Sequence, residues 1–117
     1  MKSVLEEKSR LFALRIVKLY KYLKDRRETV LSKQILRSGT SIGANVAESK
    51  YAQSVDDFIS KMSIALKEAS ETYYWLGLLH DAGYLPEGTS AKSLCLECDE
   101  LLRLLISSVK TAKSHRR

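Results

Sequence analysis

Two glycines, Gly39 and Gly43, stand inside a stretch whose apolar spacing is otherwise that of an ordinary α-helix. Each costs an interior helix position about 1 kcal/mol relative to alanine. A helix that keeps both needs a packing reason. Gly39, Gly43 and Ala47 fall at i, i+4 and i+8. They line one stripe without bulky side chains, along which another backbone can come unusually close. Leu31, Ile35, Ile42 and Val46 lie close by on the same helix. The pattern predicts a helix packed tightly through small residues on one side and through aliphatic ones on the other. Asn45 sits mid-helix beside the small stripe. It is expected to be buried and hydrogen-bonded across the bundle, where such a residue sets register.

The rest of the chain reads as three more helices. The first is expected over about 3–27, with Leu5, Phe12, Ile16, Leu19 and Leu23 on one apolar stripe. The glycine-bearing helix follows over about 29–50. A third opens at Ser54-Val-Asp-Asp57, an N-cap with an acidic first turn, and runs to about residue 82. Its face is Phe58, Ile59, Met62, Ala65, Leu66, Ala69, Tyr73 and Leu76. Gly83 is suited to stop it, and Pro86 and Gly88 mark a loop. Thr89 or Ser90 is expected to cap a fourth helix over about 90–113. The turns are short, so neighbouring helices should be antiparallel. The expected fold is all-α, an up-down-up-down four-helix bundle in one domain spanning 1–117.

At 117 residues the chain suffices for one modest core, and 44% apolar residues exclude disorder by composition. There is no run of 18 apolar residues, so no membrane span is expected. The early charges of Met1-Lys-Ser-Val-Leu-Glu-Glu and the two cysteines fit a cytoplasmic protein. Charge is unevenly distributed. Residues 1–50 hold 12 Lys/Arg against 5 Asp/Glu, residues 51–109 hold 4 against 9, and residues 110–117 hold 4 against none. A basic front half and an acidic back half suggest an anionic partner, or complementary faces between subunits.

Arg37-Ser-Gly-Thr-Ser-Ile-Gly-Ala-Asn-Val-Ala-Glu48 resembles the signature of the bacterial 23S rRNA intervening-sequence proteins, also called the S23 ribosomal protein family. Phe58, Lys61 and Ile64-Ala-Leu-Lys-Glu-Ala-Ser-Glu-Thr-Tyr-Tyr-Trp-Leu76 are similar to the same family's third helix. Ser49 departs from the Gly or Ala expected after Glu48. The resemblance covers nearly the whole chain. It implies an up-down bundle assembled into a ring-shaped homo-oligomer, most simply a pentamer. About activity it implies little. Members are encoded within rRNA intervening sequences, and a relative serves diversity-generating retroelements as an accessory protein that binds nucleic acid and a reverse transcriptase. No catalytic residue carries over.

Several motifs invite chemical readings that their context does not support. Cys95-Leu-Glu-Cys98 has redox or zinc spacing, but no strand precedes it, and His80 and His115 are far apart as further ligands. Both cysteines fall on the apolar face of the fourth helix, so core packing is expected. Gly39-Thr-Ser-Ile-Gly43 lacks the spacing and the Gly-Lys-Ser/Thr of a phosphate loop. Glu48, Glu68 and Glu71 lack the Glu-x-x-His pairs of a di-iron bundle. No catalytic, cofactor-binding or metal-binding residue is therefore expected, and no enzyme.

What remains is a basic surface and a second apolar set. Lys8, Arg15, Lys18 and Arg26 share a sector of the first helix away from its core stripe, and Lys33 and Arg37 follow on the second. These six are candidates for RNA or DNA contact. With no aromatic platform or base-reading motif, recognition should run through charge and shape. Leu11 and Tyr22 on the first helix, and Ile64, Trp75, Leu78 and Leu79 on the third, point away from the main stripes and are candidates for a subunit interface. The function expected is a non-enzymatic, oligomeric, nucleic-acid-binding or accessory module. The alternative is a protein-interaction scaffold that binds no nucleic acid.

Overall fold

Ser3 opens the first helix, its hydroxyl accepting the Glu6 N–H at 3.1 Å. A computed structural model describes residues 3–116. Its four helices are α1 (Val4–Asp25), α2 (Leu31–Ser49), α3 (Val55–Asp81) and α4 (Thr89–Ser114). Each packs against its neighbours in sequence, and α4 returns beside α1, where the contact is loosest. The bundle measures 49 × 24 × 20 Å.

The stripes close on a single core. Phe12, Ile16, Leu23, Ile35, Ile42, Leu76, Leu79, Leu101 and Leu105 are all at most 1% exposed. Ala65 and Ala69 on α3 are fully buried as well. Burying one large aliphatic side chain contributes about 1.5–3 kcal/mol, so this set supplies most of the driving force. Two residues lie outside it: Tyr73, expected on the face of the third helix, and Ile106, which helical spacing from Leu102 and Val109 puts on the apolar face of the fourth. Tyr73 and Ile106 are each 47% exposed, and Thr72 occupies the place on α3 given to Tyr73.

The glycines of α2 sit where α1 comes closest. A Cβ on Gly43 would lie 3.2 Å from the backbone oxygen of Ser9, and one on Gly39 would lie 2.8 Å from the side chain of Ile16. Ala47 lies beyond this contact and is exposed. Asn45 does not reach across the bundle. Its amide donates to the Ser41 carbonyl one turn back on the same helix, at 2.9 Å. The buried polar link between helices comes instead from Ser38 and Thr72, whose hydroxyl oxygens are 2.9 Å apart while Thr72 donates to the Glu68 carbonyl. An asparagine at the edge of the α2–α3 packing can satisfy itself locally, which is the habit of short polar side chains.

The ends are defined by caps. Ser54 accepts the Asp57 N–H at 3.0 Å, as its sequence context predicts. α3 ends with Gly83 at φ +79°, the Tyr84 N–H reaching the Leu79 carbonyl at 2.9 Å. α1 ends in the same pattern with Arg27 at φ +63°, and the Glu28 N–H reaches the Leu23 carbonyl at 2.9 Å. Glu28 then turns inward, and its carboxylate accepts the Ser32 N–H at 2.7 Å. It does for α2 what a cap side chain would do, since Val30 at the cap position offers none. α4 begins after Gly88, at φ +107°, without a side-chain cap, so neither Thr89 nor Ser90 has the expected role.

Candidate nucleic-acid interface

The six candidate cations divide sharply. Lys8 on α1 lies 3.1 Å from the Glu100 carboxylate on α4. Arg15 is held more completely: its guanidinium donates to the Glu97 carboxylate, to the Ser93 hydroxyl at 3.0 Å and to the Ser90 carbonyl at 3.1 Å. Arg37 on α2 bridges Glu68, at 3.1 Å, and Glu71 on α3. These three are the front-half charges that meet the acidic back half inside one chain. A phosphate would have to displace carboxylates to reach them. Correcting the sequence reading, Lys8, Arg15 and Arg37 stitch helices together.

Lys18, Arg26 and Lys33 have no carboxylate within 4 Å among the described residues. They are joined by Lys21, Lys24 and Arg27, also without such a partner. All lie on the C-terminal half of α1, the turn after it, and the start of α2, so the fold gathers them at one end of the bundle. Residues 18–33 contain these six cations and two acids, Asp25 and Glu28. Glu28 is buried and spent on the α2 N-terminus, leaving Asp25 as the exposed acid of that segment, with Asp81 and Glu87 exposed on the α3–α4 side of the same end.

Two tyrosines stand among them. The Arg26 guanidinium lies over the Tyr22 ring at 3.8 Å, and the Lys24 ammonium over the Tyr20 ring at 5.4 Å. Cation–π contact of this kind holds a long side chain in place while leaving its donors toward water. Sequence reasoning left Lys21, Lys24 and Arg27 out of the contact candidates, gave Tyr22 to a subunit interface and passed over Tyr20. The i, i+4 spacing of Tyr20 to Lys24 and of Tyr22 to Arg26 was the signal available.

The apolar candidates divide too. Leu11, Ile64 and Leu78 are exposed, and Leu14 joins Leu11 beside the α1–α4 seam. Leu79 is fully buried in the core, so its assignment to an interface is corrected; it continues the stripe Thr72, Leu76, Leu79 at helical spacing. Tyr22 and Trp75 are half-buried against the core. The Trp75 indole N–H donates to Glu71 at 2.8 Å, and its ring meets Tyr74 edge-on at 5.3 Å.

Cys98 is fully buried, its thiol 3.4 Å from the Ala69 carbonyl, and Cys95 is half-buried. Burial, with smaller contributions from Cys95 and Asp99, pushes the Cys98 pKa up to about 12. Burial also raises that of Cys95. A thiol held in the neutral form and sealed in the core, as Cys98 is, makes a poor nucleophile and a poor ligand. Among the described residues no three His, Cys, Asp or Glu side chains come together as metal ligands would. No helix there is long and apolar enough to cross a membrane.

A four-helix bundle is thus the class of protein that the fold defines. The family described as 23S rRNA-intervening sequence protein matches residues 2–107, and the chain belongs to that family. It is also similar to a crystal structure of a protein of unknown function from the S23 ribosomal protein family of Bacteroides thetaiotaomicron VPI-5482. The two are 53% identical with a TM-score of 0.87, over 92% of this chain and 99% of that one. No curated protein matches the chain.

Proposed function

We propose that this chain is a non-enzymatic nucleic-acid-binding module whose contact surface is the C-terminal half of α1 and the α1–α2 turn. The observation that carries the reading is the segregation of Lys18, Lys21, Lys24, Arg26, Arg27 and Lys33, none with a carboxylate partner among the described residues. Such cations release condensed counterions when they meet phosphates, which favours binding with little regard to base sequence. The test compares two triple variants for binding to labelled RNA and DNA. Neutralising Lys18, Arg26 and Lys33 should weaken binding at least tenfold. Neutralising Lys8, Arg15 and Arg37 should weaken it far less while lowering the melting temperature. Equal effects of the two triples on binding would reject the assignment.

A second reading, a homo-oligomeric scaffold, is favoured by the exposed apolar residues on two separate helices, Leu11 and Leu14 on α1 and Ile64 and Leu78 on α3. Two unlike patches on different faces suit head-to-tail contact, which closes into a ring when the rotation permits. A pentameric ring would present the basic end five times over and combine both readings.

A further inference from the structure

Gly77 is a glycine the protomer does not require. It lies inside α3, where it costs about 1 kcal/mol relative to alanine, yet a Cβ there would meet nothing within 4 Å. It differs in this from Gly39 and Gly43, whose missing side chains admit α1. The backbone at Gly77 instead lines an open cleft of about 690 Å³ between α3, the α3–α4 loop and the start of α4. The apolar lining comes from Tyr73 one turn back on α3, from Leu85 and Pro86 in the loop, and from Cys95 on α4. A side chain at position 77 would take up part of this space.

The basic and acidic side chains of the cleft are three, Lys92, His80 and Glu87. Lys92 lines it and has no carboxylate within 4 Å among the described residues. His80 also lines it, its Nδ1 3.2 Å from the Asp81 carboxylate, so that Nε2 remains for other contacts. Glu87, in the exposed loop, is the acid among the lining residues. A volume in the range of small-molecule sites, apolar walls, one aromatic ring and an ammonium with no ion-pair partner within 4 Å among the described residues form a consistent set, although Glu87 shares the cleft. We propose that this cleft binds a small, flat organic anion, its ring system laid along the bare backbone of Gly77 and beside Tyr73, its charge met by Lys92. The cleft lies at the same end of the bundle as the basic surface, Pro86 lining it and also facing Lys18 and Tyr22, but the proposal does not depend on nucleic-acid binding.

The probe is 1-anilinonaphthalene-8-sulfonate, a flat apolar anion, with its uncharged analogue N-phenyl-1-naphthylamine for comparison. Cys95 supplies a local readout, because it lines the cleft while Cys98 is sealed in the core. The expected result is saturable binding of the sulfonate at one site per chain, with at least fivefold slower alkylation of Cys95 by iodoacetamide at saturation. Gly77→Leu, at a position with room for the side chain, should weaken binding at least tenfold while the helical circular dichroism and melting remain those of a folded bundle. Lys92→Gln should weaken the sulfonate about tenfold and leave the neutral dye unchanged. Sulfonate binding that is undiminished in Gly77→Leu, or that leaves the Cys95 alkylation rate unaltered, would overturn the site. Equal affinity for the charged and neutral dyes would overturn the choice of an anion.

Discussion

Glycine has opposite meanings at two positions of this chain. At Gly43 the Cβ it lacks would press on the backbone oxygen of Ser9 at 3.2 Å, and backbone cannot swing aside. Gly43→Leu should therefore destabilise the bundle by about 1–3 kcal/mol through overpacking, read as a lowered urea midpoint. A variant that melts within a degree or two of the parent would refute the close approach. At Gly77 a Cβ meets nothing, so Gly77→Ala should stabilise by about 0.5–1 kcal/mol from helix propensity alone. Cys98 gives a second residue-scale prediction. Its folded pKa, about 12, lies above its ordinary value of 9.0. The folded state thus favours the neutral thiol. That contribution is full below about pH 9 and is lost as pH rises toward about 12, by about 1.4 kcal/mol per unit. Urea titrations at about pH 8 and about pH 10 should show the parent losing more stability than Cys98→Ala over the same interval. Parallel losses would contradict it.

The helices were legible because their signals are local and repeated. The 3.6-residue stripes of α1 and α4, Ser54 at the head of α3 and Gly83 at its end all appear in the chain as the fold uses them. The start of α2 was not legible, because its cap is not at the cap position. Glu28 belongs by sequence to the turn after α1, and only the reversal at Arg27 brings its carboxylate onto the Ser32 N–H. Glu28→Ala should cost about 1 kcal/mol or somewhat more, since it strips the one cap α2 has and leaves a buried donor unmet. A melting curve unchanged by that substitution would place the α2 N-terminus in water. The Ser38–Thr72 link was hidden for a related reason. Two small hydroxyls carry no marked pattern, whereas Asn45 attracts notice and then satisfies itself within its own helix.

At the scale of the whole molecule, sequence distinguishes basic from acidic segments but not which charges meet. The uneven charge suggests either an anionic partner or complementary faces between subunits. Much of the acidic charge is instead taken up within the chain, by Lys8 with Glu100, Arg15 with Glu97, and Arg37 with Glu68 and Glu71. Antiparallel packing places those pairs at matching heights, which a linear chain does not reveal. Of the cations left without a carboxylate within 4 Å among the described residues, six lie where α1 turns into α2, and Arg10, Lys50, Lys67, Lys92, Lys110 and Lys113 are spread over the rest of the chain. If the exposed apolar patches of α1 and α3 join copies of the chain, replacing Leu11 and Leu78 with polar residues should release smaller species in sedimentation while leaving the helical content intact. A parent that sediments as a monomer at micromolar concentration would refute the assembly. The assignment of the basic end is tested most directly by the salt dependence of nucleic-acid binding. In a filter-binding titration the logarithm of affinity for single- and double-stranded RNA and DNA should fall linearly with the logarithm of salt concentration. Neutralising Lys18, Arg26 and Lys33 should flatten that slope with the melting temperature nearly unchanged, since exposed unpaired charges contribute little to stability. Parent binding no stronger at low salt than that of a neutral protein of the same size would contradict the nucleic-acid reading and leave the scaffold.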